Sequence, residues 1–133
     1  MMFNFDIRVY YEDTDSGGIV YYANYLKFIE RARTEYLRSL NLEQDVILNK
    51  DNTIFVVKKI EADYKSPALF NDLLEVQTRV QSIGVSSIVF SQDIFNKKDN
   101  KVLFKSFVTV VCLNYKIFKP KKIPDYILER INE

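Results

Sequence analysis

The chain opens on an alternation of apolar and more polar residues. Apolar side chains occupy the odd positions from 3 to 11, and the even positions from 4 to 12 are mostly polar. This period of two predicts a first β-strand with one buried face. The spacing then changes, because from Tyr25 to Leu40 apolar residues return every three or four positions. That period predicts one long amphipathic helix from about Tyr22 to Leu40.

Four more apolar runs follow this helix. The polar stretch from Leu42 to Asn52 is interpreted as a connecting loop before them. Strands are then predicted over residues 53–65, 74–81, 85–95 and 102–115, with turns at Gly84 and at residues 96–100. Pro124 predicts the start of a short C-terminal helix.

The last predicted strand, Val102 to Tyr115, has apolar residues on both faces, which is typical of a strand buried on both sides. One face can cover the helix, and a second copy of the chain is the simplest candidate to cover the other. The order of strand, long helix, four strands and short helix predicts an α+β fold. In it, a curved antiparallel β-sheet wraps around one long central α-helix.

The composition narrows the functional classes. A length of 133 residues with 47% hydrophobic content predicts a single domain over residues 1–133. A net charge of +1 means that the chain lacks the excess of positive charge that is typical of nucleic-acid-binding proteins. No apolar run approaches the length needed to cross a membrane, and the first residues lack the features of a secretory leader, so we expect a cytoplasmic protein without membrane insertion. The single Cys112 is interpreted as a small buried hydrophobe and not as a nucleophile.

The segment from Tyr11 to Tyr25 carries the candidate chemistry. It sets Asp15 beside two glycines and then runs directly into the predicted helix. A helix N-terminus presents unpaired N–H groups and the positive end of the peptide dipoles, which stabilise a polarised carbonyl. The chain contains no histidine, so hydrolysis would depend on carboxylates. A calcium loop is rejected, because Gly17 and Asn24 stand where that pattern needs an oxygen ligand and a bidentate glutamate. No metal site is predicted.

Two motifs identify a family. The sequence Asp13-Thr14-Asp15-Ser16-Gly17-Gly18-Ile19-Val20-Tyr21-Tyr22-Ala23-Asn24-Tyr25, followed by Glu30-Arg31-Ala32-Arg33-Thr34-Glu35, closely resembles the hotdog-fold acyl-CoA thioesterases. The segments 64–68 and 119–124 support the match, which covers nearly the whole chain. The nearest branches look like the Tol-Pal-associated YbgC-type enzymes and the 4-hydroxybenzoyl-CoA thioesterases. This resemblance implies the hotdog fold and the hydrolysis of an acyl-CoA to a free acid and coenzyme A, without a cofactor.

The resemblance also assigns the catalytic groups. It makes Asp15 the catalytic carboxylate, either as nucleophile or as general base, and the sequence leaves both routes open. It makes the backbone N–H of Tyr22 the donor that polarises the thioester carbonyl. Gly18, together with Gly17, is a candidate position for close approach of substrate to the backbone, because glycine has no side chain. From the residues alone, Asp15 also fits an Asx-turn or an N-cap, and Gly17 and Gly18 fit ordinary turn glycines with positive φ. Glu30 and Glu35 are the alternative carboxylates, and a salt-bridged surface role competes for both.

Substrate contacts are predicted from residue type and position. Tyr21 and Tyr25 are candidates for lining the acyl pocket, with a purely structural role in the core as the alternative. Lys65, Lys119 and Lys121 are candidates for binding the phosphates of coenzyme A, with ordinary surface charge as the alternative. The YbgC-type enzymes generally carry histidine where this chain has Tyr22, which leaves the acyl preference open.

Two hypotheses for the function follow. The first is an acyl-CoA thioesterase that assembles as a homotetramer, a dimer of dimers, and that accepts its acyl group from coenzyme A or from an acyl-carrier protein. The alternative is a non-catalytic hotdog module that binds or senses an acyl thioester. The two differ at Asp15, because sensing does not require a carboxylate beside the carbonyl. A hotdog dehydratase is excluded, because resemblance to those enzymes would require a histidine.

Overall fold

The computed structural model describes residues 1–132, which form one antiparallel sheet with three α-helices. The strands are β1 (Phe3–Arg8), β2 (Thr53–Tyr64), β3 (Leu73–Ile83), β4 (Ser87–Asn96), β5 (Val102–Asn114) and the short β6 (Lys119–Pro120). The helices are α1 (Asn24–Ser39), α2 (Gln44–Asp51) and α3 (Asp125–Ile131). The strand order is β1-β3-β4-β5-β2, and β6 pairs with the C-terminal end of β5.

Helix α1 lies against the concave side of this sheet and shares the main core with it. Phe28, Ile29 and Ala32 of α1 are at most 1% exposed, as the three- and four-residue spacing predicted. The ring of Tyr25, in the first turn of α1, stacks on Phe104 of β5 with the ring centroids 5.2 Å apart. The α+β hotdog architecture predicted from the sequence is confirmed.

A buried polar cluster fixes α1 on the sheet. Gln92 of β4 is fully buried, and its amide nitrogen, Nε2, donates to the Ile29 carbonyl and to the Thr78 hydroxyl at 2.8 and 2.9 Å. Its Oε1 accepts a 2.8 Å hydrogen bond from Arg33. Because buried polar groups are costly when unpaired, the cluster favours one axial position of the helix.

Helix α1 begins at Asn24, slightly later than predicted, and β1 ends at Arg8 instead of continuing to Tyr11. A single turn of 3₁₀-helix, Tyr11–Asp13, follows β1. The delay arises because residues before α1 are paired elsewhere: Thr14 and Val20 form an antiparallel bridge, and Ile19 bridges to Leu69. A turn closed by the Asn24 N–H and the Tyr21 carbonyl then leads into α1. Tertiary pairing therefore takes precedence over helix formation in these residues.

The loop predicted from Leu42 to Asn52 was wrong, because most of it forms helix α2. Its periodic signal is weak, since Ile47 is the one buried residue among the eight of α2. The helix ends at Asp51 and is capped by Asn52, whose φ of 49° places it in the left-handed conformation that asparagine tolerates. Of the residues interpreted as loop chemistry, Asn49 and Asp51 lie in the last turn of α2, and Asn52 caps it.

Strand β5 buries one face completely and the other only in part. Phe104, Val108 and Cys112 point into the core with no exposed surface. On the opposite face Phe107 is 44% exposed and Val111 is half-buried. Burial of the second face by another copy of the chain therefore stays a prediction.

Candidate active site

A small hairpin precedes α1 and carries Asp15. The Asp15 N–H donates to the Ile19 carbonyl at 3.0 Å, and the Gly18 N–H donates to the Asp15 carbonyl at 3.1 Å. Gly18 has a φ of 78°, in the left-handed region that favours glycine, and this conformation allows the chain to reverse. The prediction of turn glycines with positive φ is correct at Gly18 and wrong at Gly17, whose φ is not positive.

The Asp15 side chain is exposed and turned onto its own loop. Its Oδ1 accepts a 2.8 Å hydrogen bond from the Gly17 N–H, which is the geometry of an Asx-turn. The alternative interpretation of Asp15 as an Asx-turn residue is therefore observed. The second oxygen, Oδ2, has no hydrogen-bond partner within residues 1–132, so the same side chain still offers an acceptor to a ligand.

Side chains alternate between the two faces of the hairpin. Directly paired residues of an antiparallel ladder share a face, so Asp15 and Ile19 lie on the same side as Tyr21, and Val20 lies on the other. Val20 is 3% exposed, whereas Tyr21 is exposed. Asp15 and Tyr21 therefore share the open face of the loop.

The backbone at Tyr22 is held on both sides. The Tyr21 N–H donates to the Asp13 carbonyl, the Asn24 N–H donates to the Tyr21 carbonyl, and the Tyr64 hydroxyl donates to the Tyr22 carbonyl at 2.7 Å. The Tyr22 N–H itself has no hydrogen-bond partner in the part of the chain that the structure describes. It is an oriented main-chain donor left free immediately before the first turn of α1.

Tyr25 lies beneath the open face and not on it. Its side chain is 3% exposed, and its hydroxyl accepts a 3.0 Å hydrogen bond from the Ala68 N–H. Burial raises the pKa of the Tyr25 phenol and also that of Tyr64. Both phenols therefore stay protonated near neutral pH, which lets Tyr64 donate to Tyr22. Tyr25 takes the core role that the sequence left as the alternative, and its contact with substrate remains only a prediction.

The three candidate lysines lie at opposite ends of β2. Lys65 is exposed and directly follows Tyr64, at the end of β2 that is close to Tyr22. Lys121 lies at the other end, where its Nζ donates to the Thr53 hydroxyl at 2.8 Å and is 3.9 Å from an Asp51 carboxylate oxygen. Because β2 has 12 residues, its ends are roughly 36 Å apart at about 3.3 Å per residue. Lys119 lies on β6, beside the end of β5 that pairs with the start of β2. Within one chain, Lys119 and Lys121 are thus not brought to Asp15.

The alternative carboxylates of α1 have surface partners. The Glu30 carboxylate accepts a 2.7 Å hydrogen bond from the Thr34 hydroxyl, and Glu35 pairs with Arg38. Both contacts join residues three or four positions apart on one helix, as expected for the surface role that the sequence left as the alternative. Cys112 has no exposed surface, and burial raises the pKa of its thiol to about 11, so it is not a nucleophile at neutral pH.

Residues 1–132 were searched for two features, a metal site and a membrane-spanning helix. They contain no group of three or more histidine, cysteine, aspartate or glutamate side chains arranged to hold a metal ion. Among these same residues, no helix is both long and apolar enough to cross a membrane.

Sequence reasoning did not give a role to Tyr64 or Asn24. Tyr64 was noted only as part of a supporting motif, and its bond to Tyr22 joins residues 42 positions apart. Asn24 was noted within the first motif, and its side chain donates to the Asp13 carbonyl at 2.9 Å. No local pattern predicts contacts at such separations.

Comparison with known proteins decides the family. A sequence profile of the thioesterase superfamily matches residues 17–103. The chain belongs to the thioesterase superfamily. It is 45% identical over 122 residues to the acyl-CoA thioesterase YbgC of Haemophilus influenzae, covering 92% of this chain and 88% of that protein. It is also 41% identical over 132 residues to the acyl-CoA thioester hydrolase YbgC of Escherichia coli O6:H1, covering 99% and 97%.

The solved structures of thioesterases share this architecture. A 1,4-dihydroxy-2-naphthoyl-CoA thioesterase from Synechocystis superposes with a TM-score of 0.93, covering 100% of this chain and 97% of that protein. At 21% identity, this likeness shows the fold alone. The family and the YbgC-type branch recognised in the sequence are confirmed by the profile and by the two relatives.

Proposed function

We propose that this thioesterase-superfamily protein hydrolyses an acyl-CoA, with Asp15 as the catalytic carboxylate and the Tyr22 N–H as donor to the thioester carbonyl. The thioester hydrolase class agrees with its YbgC relatives, which are acyl-CoA thioesterases at 41 and 45% identity over most of the chain. The observation that carries the site assignment is the free Tyr22 N–H, held in place while its neighbours at residues 21 and 24 are hydrogen-bonded.

The proposed chemistry needs only these two groups and water. In the general-base route, Asp15 takes a proton from water as the water oxygen bonds to the carbonyl carbon. The Tyr22 N–H stabilises the negative charge that develops on the carbonyl oxygen, a contribution typically worth about 3 to 4 kcal/mol. The C–S bond then breaks, and the departing thiolate takes the proton that Asp15 removed from water. The products are the free acid and coenzyme A, and the Asp15 carboxylate is restored. In the nucleophile route, the Asp15 carboxylate attacks the carbonyl carbon and the C–S bond breaks, so that the coenzyme A thiolate leaves and a mixed anhydride forms on Asp15. Water then hydrolyses this anhydride, which releases the free acid and restores the carboxylate.

The open face of the loop requires a cover before it becomes an acyl pocket. Asp15, Tyr21 and Tyr22 are all exposed in a single chain. The outer strand β2 is also uncovered: every residue from Val57 to Tyr64 is exposed, and the free edge of this strand can pair with another chain. A second copy of the chain is the proposed cover.

Two-fold antiparallel pairing of β2 with itself accounts for the separated lysines. Such pairing places the start of one copy's β2, where Lys121 lies, beside Tyr64 and Lys65 of the other. Lysines from two copies then flank one site, which is suited to the phosphates of coenzyme A. Pairing about Ile60 also sets Lys59 of each copy opposite Glu61 of the other. The half-exposed outer face of β5, with Phe107, is the proposed contact for a dimer of dimers.

The alternative function is a module that binds an acyl thioester without cleaving it. It is favoured by the Asx-turn, because one Asp15 oxygen is already engaged by Gly17. Acceptance of the acyl group from an acyl-carrier protein and a cytoplasmic location also stay predictions.

Thiol release from a panel of acyl-CoAs separates the two functions. The panel contains short, long and aromatic acyl groups, and wild type is compared with Asp15→Asn. An asparagine keeps an oxygen for the Gly17 N–H, so the loop is retained while the charge is lost. We expect turnover to fall at least about a hundredfold, the scale for loss of a catalytic acid–base group.

Glu12→Gln is the matched control, because Glu12 is an exposed carboxylate three residues away. It should hydrolyse like wild type. Circular dichroism and light scattering check folding and assembly of each variant. Binding of every acyl-CoA without thiol release by wild type would favour the sensing module instead.

A further inference from the structure

The Asp13 carbonyl oxygen accepts hydrogen bonds from two residues at the other side of the loop. The Tyr21 N–H and the Asn24 Nδ2 each donate to it at 2.9 Å. The Asn24 main-chain N–H in turn donates to the Tyr21 carbonyl at 2.8 Å. One residue, Asn24, therefore binds both strands of the hairpin to the first turn of α1.

The Asn24 side chain does not serve its own helix. The N-cap position of α1 is occupied by Ala23, and no side chain caps this terminus. Asparagine is also a weaker helix former than alanine or leucine. Asn24 is only 9% exposed, so its amide is desolvated and must find partners inside the protein. It finds one 11 residues earlier in the chain.

Asp13 and Tyr21 lie close in sequence to the two groups of the proposed site, the Asp15 carboxylate and the Tyr22 N–H. Asp15 follows Asp13 by two residues, and Tyr22 follows Tyr21 directly. We propose that Asn24 is a positioning residue, which sets the spacing between the Asp15 carboxylate and the Tyr22 N–H through the Asp13 carbonyl. This inference rests on the proposed function, to which it adds a residue that touches neither substrate nor the reacting atoms.

Two variants remove the side-chain donor. Asn24→Asp keeps the shape, but an ionised carboxylate can only accept hydrogen bonds and so repels the Asp13 carbonyl. Asn24→Ala removes the side chain beyond Cβ. We expect kcat to fall about tenfold to a hundredfold in both, because displacements near 1 Å at a reacting centre have effects of this size. KM should change by less than about threefold, since groups that bind the substrate stay in place.

A matched control is available on the same helix. Gln92→Leu removes another buried amide that binds α1, through the Ile29 carbonyl, and that does not contact the loop. It should lower the melting temperature at least as much as Asn24→Ala, yet lower kcat by less than about threefold. Thr78→Val, which removes one hydrogen bond to Gln92, replaces this control if Gln92→Leu does not fold.

Amide hydrogen exchange measures, independently of turnover, whether Asn24 holds the loop of residues 13–22 on α1. Exchange of the peptide covering residues 13–22 should be at least about fivefold faster in both Asn24 variants and unchanged in Gln92→Leu. Unchanged exchange in the Asn24 variants overturns the inference, and so does a kcat loss in Gln92→Leu equal to that of Asn24→Ala at equal stability. If wild type hydrolyses no thioester, the proposed function fails together with the catalytic part of this inference. Exchange then still shows whether Asn24 holds the loop on the helix.

Discussion

The Tyr64 hydroxyl donates a 2.7 Å hydrogen bond to the main-chain carbonyl of Tyr22. This contact joins the last residue of β2 to the residue whose N–H is free beside the candidate site. The ring of Tyr64 also packs edge-on against Tyr25 and Phe104, with centroids 5.2 and 5.0 Å away. The position of the Tyr22 peptide thus depends on the sheet as well as on its own loop.

Tyr64→Phe tests this dependence. Phenylalanine keeps the ring contacts and removes only the donor to the Tyr22 carbonyl. We expect the free energy of unfolding to fall by no more than about 1 kcal/mol, the usual net value of one such bond. We expect kcat to fall more than this stability loss implies, because the oxyanion donor gains freedom. Denaturant unfolding and thiol-release kinetics measure the two quantities. A wild-type kcat in Tyr64→Phe contradicts a role for this bond.

The two loop glycines should respond differently to alanine. A Cβ at Gly17 would lie 3.3 Å from the Asp15 Oδ1, tighter than an ordinary contact, whereas a Cβ at Gly18 would meet nothing within 4 Å. Gly18 instead has a positive φ, which costs an alanine roughly 1 kcal/mol or more. Gly17→Ala should therefore mainly reduce kcat by moving the carboxylate, and Gly18→Ala should mainly reduce stability. Thermal melts and kinetics on the same preparations distinguish these effects, and the reverse order would contradict this geometry.

Stability at high pH should depend on Tyr36. Burial raises the pKa of its phenol above the ordinary value of 10.0. The folded state therefore favours the neutral phenol, and this contribution is complete below pH 10 and is lost as the pH rises through the folded-state pKa. Tyr36→Phe cannot ionise, so its free energy of unfolding should fall less steeply above pH 10 than that of wild type. Urea titrations from pH 8 to 11 measure the slopes; parallel curves would show that Tyr36 has no part in the alkaline loss.

The proposed pairing of β2 with itself predicts a charge-swap result. Glu61→Lys should weaken the assembly, because it sets positive charges opposite each other and also breaks the Lys59–Glu61 ion pair within the chain. The double variant Lys59→Glu with Glu61→Lys should restore the assembly. Light scattering coupled to size exclusion gives the mass of each. A monomeric wild type, or a double variant no better than Glu61→Lys, counts against this interface.

Local patterns predicted most of the fold. Periods of two and of three to four identified β1 and α1, since one buried face leaves a repeating apolar signal. Helix α2 was missed because only Ile47 is buried there, so its sequence carries almost no period. The short strand β6 was also missed, because its two residues are too few to show any alternation.

Some features of the candidate site could be predicted from the sequence, and others could not. The motif around Asp15 and Gly18 was readable from the sequence, because turn glycines and a carboxylate before a helix are local features. The sequence by itself therefore determined the family, the fold and the residues to test. Only the tertiary structure decided that the Tyr22 N–H is free, that Tyr25 is buried and that Lys121 lies at the far end of β2. The last two facts depend on contacts between residues tens of positions apart, Tyr25 with Ala68 and Lys121 with Thr53, which no local spacing encodes.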